Sequence, residues 1–516
     1  MSKAGEVYDV PRGAAYLTTL QIIYYTAYLV FYVALARVLS KIEVNQIGLL
    51  MAAQAAFVAL VQFGLPSSAT RFISANMGKG DTLSAGAVTR TILRFSIGVG
   101  SLGLAVAVLL SFFAGPAYVG STAGGTLLAL TFTSALLLDL ILLYGSYFIG
   151  VGSYARALYQ NAMYVPLSRG LGLLLAVLGY RVLGIVTGWL FGGLITLAFA
   201  VYLWHGHLPA HSSHPLRPLL AFSLPVFGAM LTAFGQQYGG FEILNVVLGQ
   251  VPANGVYYII MSSVASLSIL WIPLTQALYP ALSASHALGE TAAISDRLAV
   301  AFRLTNLAVL PLSASLAAIA PTAIEVVYGP SYASQASVFA LLALTSIFIA
   351  QGAILTTSLQ AMGEAKEYLA ITLVSTIAGL VAVAATAQFF GVFAAALGRL
   401  ILGVCIVVLA RYRIESSAKT HTGNSLPAAL LLAGSVAIPL AIVDYLLMDF
   451  LSPLRRMTVL LVVLVVAFLA VSKAFRIFKS SDFTTLKDAL PRRLRAPLSA
   501  VERLIVRKDD EAEDSS

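Results

Sequence analysis

The sequence predicts an all-α polytopic membrane protein of about fourteen transmembrane helices, and three observations carry that prediction. The chain has 516 residues, 59% hydrophobic and only 10% charged, with a mean hydropathy of +0.90; soluble domains carry about 25% charged residues. Runs of about 20 apolar residues, the length that crosses the hydrocarbon core, recur along most of the chain between charged, Gly or Pro boundaries. Lys and Arg are sharply segregated among the connecting segments.

The first run, 14–36, lies between Arg12 and Arg37; it is too long, and lacks the small-residue cleavage site, for a removable signal peptide. Runs 44–66, 91–114, 126–148, 158–180 and 182–204 complete a group of six, and 219–248, 256–282, 304–327, 338–359, 369–390 and 392–410 form a second group. Two more, 426–447 and 457–475, precede a charged tail. The expected organisation is a first lobe 1–205, a linker 206–216, a second lobe 217–415, two additional spans within 416–477 and a basic tail 478–516. Cys405, the single cysteine, lies in an apolar run, so neither a disulfide framework nor a cysteine metal cluster is available.

With the N-terminus inside, about 24 of the 31 Lys and Arg fall on the cytoplasmic side and about 5 outside, with Arg169 and Arg399 inside spans. Cytoplasmic loops are enriched in these residues, so both termini are expected in the cytoplasm and the chain in the cell membrane. The formal charge of +9 reports this sidedness and attraction to anionic headgroups, and nothing argues for nucleic acid. In the tail, Leu486, Leu490, Leu494, Leu498, Val501 and Leu504 stand at helical spacing with Arg492, Arg493 and Arg495 interleaved. That pattern suits a basic helix on the inner leaflet, interrupted by Pro491 and Pro497; a solvated tail is the alternative.

Two hairpins repeat. VLSKIEVNQIGLL, from Val38, aligns without gaps with VLGQVPANGVYYI, from Val247, at an offset of 209 residues, sharing Val, Leu and Asn. GVGSYARALYQ, from Gly150, and AMGEAKEYLA, from Ala361, align Gly152 with Gly363 at an offset of 211. Each repeat holds an even number of spans, so both start on the same side of the membrane and the symmetry axis runs along its normal. A substrate path is expected between the two lobes.

These stretches also carry a resemblance. ALARVLSKIEVNQIGLLMAAQAAFVALVQFGLPSSATRF, SLPVFGAMLTAFGQQYGGFEILNVVLGQVPANGVYYI, QALYPALSA, IEVVYGPSY and LQAMGEAKEYLAI, over roughly 12–415, resemble the polysaccharide biosynthesis or O-antigen flippase family. That family belongs to a superfamily with lipid II flippases and multidrug and toxic compound extrusion transporters. The resemblance implies an alternating-access carrier, not an enzyme, that moves an isoprenoid-linked oligosaccharide outward through a central cavity. Implied partners are that substrate, on a polyprenyl or dolichyl (pyro)phosphate, membrane lipids and glycan-assembly enzymes. No cofactor is implied beyond a proton or sodium ion that drives the cycle.

Polar residues inside apolar runs are the site candidates, because an uncompensated charge at the bilayer centre costs roughly 2.5 to 3.5 kcal/mol on insertion scales. Gln236 and Gln237 stand mid-span in the seventh run, with Glu242 a turn or two nearer the outer surface. The resemblance implies a coupling-cation role for Glu242; the plain alternative is a glutamate snorkelling to the headgroups. Asp139 and Arg169 fall at matched depths, roughly 14 to 16 Å from the inner side, so adjacent helices could pair them. Such a pair is either static neutralisation or an ion-coupled switch in which protonated Asp139 releases Arg169 to an anionic substrate. Arg71 matches the arginine that closes the second span in the family and offers phosphate a planar fork; it also suits a positive-inside anchor. Gln21, Tyr25, Tyr28 and Tyr32 form a helical stripe on the first span that suits stacking on sugars or packing within a lobe.

Four histidines, His205, His207, His211 and His214, crowd the linker, but without carboxylate or cysteine neighbours they read as a hinge-like loop and not a metal site. Two other functions stand as alternatives. A cation-coupled multidrug antiporter shares the architecture and is the runner-up; it would favour an acidic, aromatic cavity over an arginine-bearing one. A membrane glycosyltransferase would need acidic residues in outer loops, which are short here.

Overall fold

The computed structural model describes residues 10–205, 213–418 and 426–478, with 208, 483, 499, 502, 504 and 505 as isolated positions. Parts of the predicted linker, including His207 and His211, and nearly all of the basic tail lie outside the described residues. All regular elements among the described residues are helical. This is the solution hydrocarbon imposes, because a spanning segment must satisfy its own backbone polar groups.

The chain divides into two compact units, Met1–Ile259 and Ile260–Ser516. The first holds α1 (Val10–Val38), α2 (Lys41–Gln62), α3 (Leu65–Gly78), α4 (Thr82–Val119), α5 (Gly124–Gly150), α6 (Tyr154–Leu175), α7 (Arg181–Trp204), α8 (Leu216–Phe234), α9 (Gly240–Leu248) and the start of α10 (Pro252–Ala265). The division thus falls beyond the expected linker 206–216, because the seventh span packs along α2 and α3. Near its start the Ser68 hydroxyl donates to the Leu219 carbonyl at 2.8 Å; near its end Asn45 donates to Asn245 at 2.7 Å.

Local sequence explains the breaks. Ser40 and Glu43 form a reciprocal capping box at the start of α2, which satisfies donors a helix end leaves orphaned. Between α2 and α3 the chain turns through Phe63 (φ 48°) and Gly64 (φ 69°). A side chain at Gly64 would also meet the Ser223 carbonyl at 2.6 Å. α6 and α7 form a hairpin joined by a five-residue π turn, Ala176–Tyr180. Its helices touch backbone to backbone: a Cβ built at Gly188 would lie 2.1 Å from the Gly172 nitrogen, and one at Gly192 2.4 Å from Ser168 Cα. Small residues at such contacts are how helices associate where lipid removes the hydrophobic drive.

The second unit holds the rest of α10, then α11 (Ile272–Ala287), α12 (Thr291–Ala318), α13 (Ala320–Tyr328), α14 (Ala336–Ala361), α15 (Ala365–Phe390), α16 (Phe393–Ala418), α17 (Leu426–Leu447) and α18 (Pro453–Ala474). One of its cores gathers Leu282, Leu298, Phe302, Leu355, Leu359 and Ile414. The two additional spans are tied to it by a buried ion cluster: Arg456 lies 3.1 Å from Asp444 and 3.5 Å from Glu325, and Thr322 donates to Asp444 at 2.6 Å.

Twelve helical tracts are long and apolar enough to cross a membrane. One of them, Tyr154–Trp204, contains the α6–α7 hairpin and so two predicted spans, and Ile23–Val38 adds a shorter apolar helix at the first. All fourteen predicted runs therefore fall on helices. Ion pairs between elements also keep to the predicted alternation of loops: Glu43 with Arg181, and the Arg456 cluster, join ends predicted on one side of the membrane, while Arg413 with Glu364 at 3.0 Å joins ends predicted on the other. For the absolute orientation, Ser331→Cys, at an exposed position between α13 and α14, should react with an impermeant thiol reagent added outside intact cells, and Ser153→Cys should not. Reversed labelling would invert the topology.

Candidate functional site

The deepest described cation in the first unit is Arg169, only 2% exposed. It is carried on α6, beside the glycine contacts that press α6 onto α7. Its guanidinium carbon lies 4.5 Å from the Trp189 ring centroid, 5.4 Å from Phe31 and 5.5 Å from Tyr28. One nitrogen, Nη2, donates to the Tyr28 hydroxyl at 3.3 Å. Nε and Nη1 are buried without a hydrogen-bond partner among the described residues, as are the Tyr164 hydroxyl and the Trp189 indole nitrogen. Aromatic faces stabilise a cation but leave its N–H donors unused, so this arginine retains capacity for an oxyanion.

α1 continues the aromatic surface. Tyr24, Tyr28 and Tyr32, spaced by four, stack with centroids 4.8 and 5.9 Å apart, and Tyr32 meets Tyr258 at 5.9 Å. The structure thus puts Tyr24, not the predicted Tyr25, in the ladder. Tyr25 is half-buried beside it, and Gln21, one turn earlier, is half-buried with its Oε1 unpartnered. Tyr24 stands one turn before Tyr28, so the spacing could have found it; Phe31, Tyr164 and Trp189 had no comparable signal.

The expected Asp139–Arg169 pair is absent. Asp139, 1% exposed, faces the Gln62 side chain of α2, and its Oδ2 has no hydrogen-bond partner among the described residues. Equal depth on neighbouring helices fixes height and not azimuth: Arg169 turns toward α1 and α7, Asp139 toward α2.

In the seventh span, Gly235–Gly239 is a π turn, so Gln236 and Gln237, both half-buried, sit where the helix widens between α8 and α9. Such bulges recur at functional positions. Glu242 follows, and its Oε1 accepts a hydrogen bond from the Tyr118 hydroxyl at 2.6 Å, which makes it a partnered residue and not a freely snorkelling one. Arg71 is exposed on α3, beyond the turn that ends α2, its guanidinium carbon 4.3 Å from the Phe222 ring centroid. His214 is pinned by an exchange of hydrogen bonds with Thr91, at 2.8 and 3.0 Å; no metal-binding group was found among the described residues.

Helical spans of this length and order define a polytopic membrane protein. The polysaccharide biosynthesis protein family matches residues 10–286, and the chain belongs to that family. Among solved structures it is similar to the lipid II flippase MurJ in an inward closed conformation, with a TM-score of 0.69 and 14% identity over 89% of this chain and 98% of that one. It is also similar to an inward-facing multidrug resistance MATE transporter of the MOP superfamily, with a TM-score of 0.65 and 16% identity over 77% and 95%. A third is a MOP superfamily transporter from Pyrococcus furiosus, with a TM-score of 0.57 and 15% identity over 79% and 96%. No curated protein sequence matches.

Because Asp139 and Arg169 share no contact, Asp139→Asn and Arg169→Gln should act independently. Their effects on thermal stability in detergent should add to within about 0.5 kcal/mol. A double variant markedly more stable than the sum predicts would restore the pair.

Proposed function

We propose that this protein is an alternating-access flippase that carries a polyprenyl- or dolichyl-linked oligosaccharide from the inner to the outer leaflet of the cell membrane, supplying glycan assembly outside. The observation that carries this reading is the Arg169 cage. A guanidinium with two unused buried nitrogens, framed by Tyr28, Phe31 and Trp189, suits a phosphate or acidic sugar beside a stacking surface. The same cage disfavours a cationic drug. Gln21, Tyr25, Gln236 and Gln237 would line the sugar path, and Arg71 would meet the (pyro)phosphate from the cytoplasmic side. The two repeats, 1–205 and 217–415, would act as the alternating lobes, with glycan-assembly enzymes and membrane lipids as neighbours.

Arg169→Gln should reduce translocation at least tenfold in reconstituted vesicles, and Arg169→Lys should restore it only in part, since an ammonium lacks the planar fork. Wild-type rates in Arg169→Gln would remove the cage from the path.

Ion coupling is assigned to Glu242, with Asp139 as a second candidate carboxylate. Glu242→Gln keeps the hydrogen bond to Tyr118 within reach while deleting the charge. It should turn over slowly and lose the response to an imposed proton or sodium gradient. An unchanged gradient response would exclude Glu242 as the coupling group.

A further inference from the structure

The repeat hairpins converge on one residue. Asn45, in the first repeat, and Asn254, its counterpart at the offset of 209, both donate through Nδ2 to Oδ1 of Asn245, at 2.7 and 3.1 Å. Asn254 also reaches the Gly249 carbonyl at 2.9 Å, and Asn245 donates to the Phe241 carbonyl at 2.9 Å. The same offset from Asn245 falls on Ala36, which has no amide to offer. The symmetric second acceptor is therefore missing, and both repeat asparagines share one.

Beneath this knot the helices meet with no room for a side chain. A Cβ at Gly48 would lie 2.7 Å from Phe241 and 2.8 Å from Tyr258, and one at Gly255 would lie 2.0 Å from the Lys41 carbonyl. Tyr258 in turn donates to the Met51 sulfur at 2.7 Å. Asn45 and Asn254 are 1% and 0% exposed, yet the Oδ1 of each lacks a hydrogen-bond partner among the described residues.

Two features make this contact suited to opening. Its bonds are neutral and of modest net strength, so breaking them strands no charge. Its two orphaned oxygens gain partners once water enters, which offsets the bonds lost. We propose that Asn45, Asn245 and Asn254 form a reversible latch that closes the outer ends of the two repeat hairpins in one half of the transport cycle and releases them in the other. This rests on the carrier reading above, and a purely static knot is its alternative.

The test uses the full chain in a Cys405→Ala background. Asn45→Cys with Asn245→Cys is bridged by a short, reducible bismethanethiosulfonate linker, because side chains meeting tip to tip hold their Cα atoms too far apart for a direct disulfide. Bridging should lower translocation at least tenfold, with recovery on reduction. Failure to bridge, or equal rates bridged and reduced, overturns the latch. Should the double variant fail to insert, the reactivity of Met51→Cys toward an impermeant reagent added outside decides: it should rise several-fold when Asn245→Ala is added, and an unchanged rate overturns the proposal. Wild-type protein in the same vesicles separates the two readings. If wild type moves no lipid-linked oligosaccharide, the flippase reading fails, while the Met51→Cys labelling still reports on the latch.

Discussion

The cost of leaving a polar group unsatisfied in hydrocarbon governs this structure. It makes all regular elements of the described chain helical, because helices close their own backbone hydrogen bonds. It places the charged pairs Glu43–Arg181, Arg413–Glu364 and Arg456–Asp444 at helix ends, where partners from neighbouring elements reach them. The few polar side chains left inside the spans then stand out, since each needs a partner or a use. Gln54 finds Ser134 at 2.9 Å and Gln351 finds Asn306 at 2.8 Å. Arg169 instead is held by aromatic rings, with two nitrogens spare.

That cost also explains what could be read in advance. Apolar runs of spanning length are a direct imprint of the bilayer, so all fourteen fell on helices, although the second run was drawn through to Pro66, past the turn at Phe63 and Gly64. The repeat was legible in three shared residues, one of which, Asn45 with Asn254, proved to meet at a single acceptor. Azimuth was not legible. A helix with apolar residues on nearly all sides gives no phase, so matched depth suggested a partner for Asp139 that the structure places elsewhere, and the aromatic stripe was phased on Tyr25 when Tyr24 joins the ladder. The π turn at Gly235–Gly239 shifts phase in the span that carries Gln236, Gln237 and Glu242. The compact units likewise divide after the seventh span because its packing on α2 and α3 involves residues far apart in sequence.

The asymmetry of the candidate site gives the flippase reading its chemical content. The deepest described cation in the first unit, Arg169, is as buried as the carboxylate Asp139 but shares no contact with it, and its neighbours are Tyr, Phe and Trp faces of the kind that accept sugar rings and cations alike. A cationic substrate would meet repulsion there; a phosphate or an acidic sugar would find two free donors. Glu242, by contrast, is engaged with Tyr118, close to the asparagine knot on the same helix, so an ion bound or released there would act next to the contact assigned to opening.

The most direct measurement of the central claim is translocation by the purified wild-type protein in lipid vesicles loaded with a fluorescent polyprenyl-pyrophosphate oligosaccharide, read by glycan accessibility to an added lectin. The account predicts that the protected glycan becomes accessible in a protein-dependent manner, and that excess unlabelled anionic lipid-linked sugar slows it while a cationic drug does not. No protein-dependent exposure of the glycan, or competition by the cationic drug alone, would contradict it.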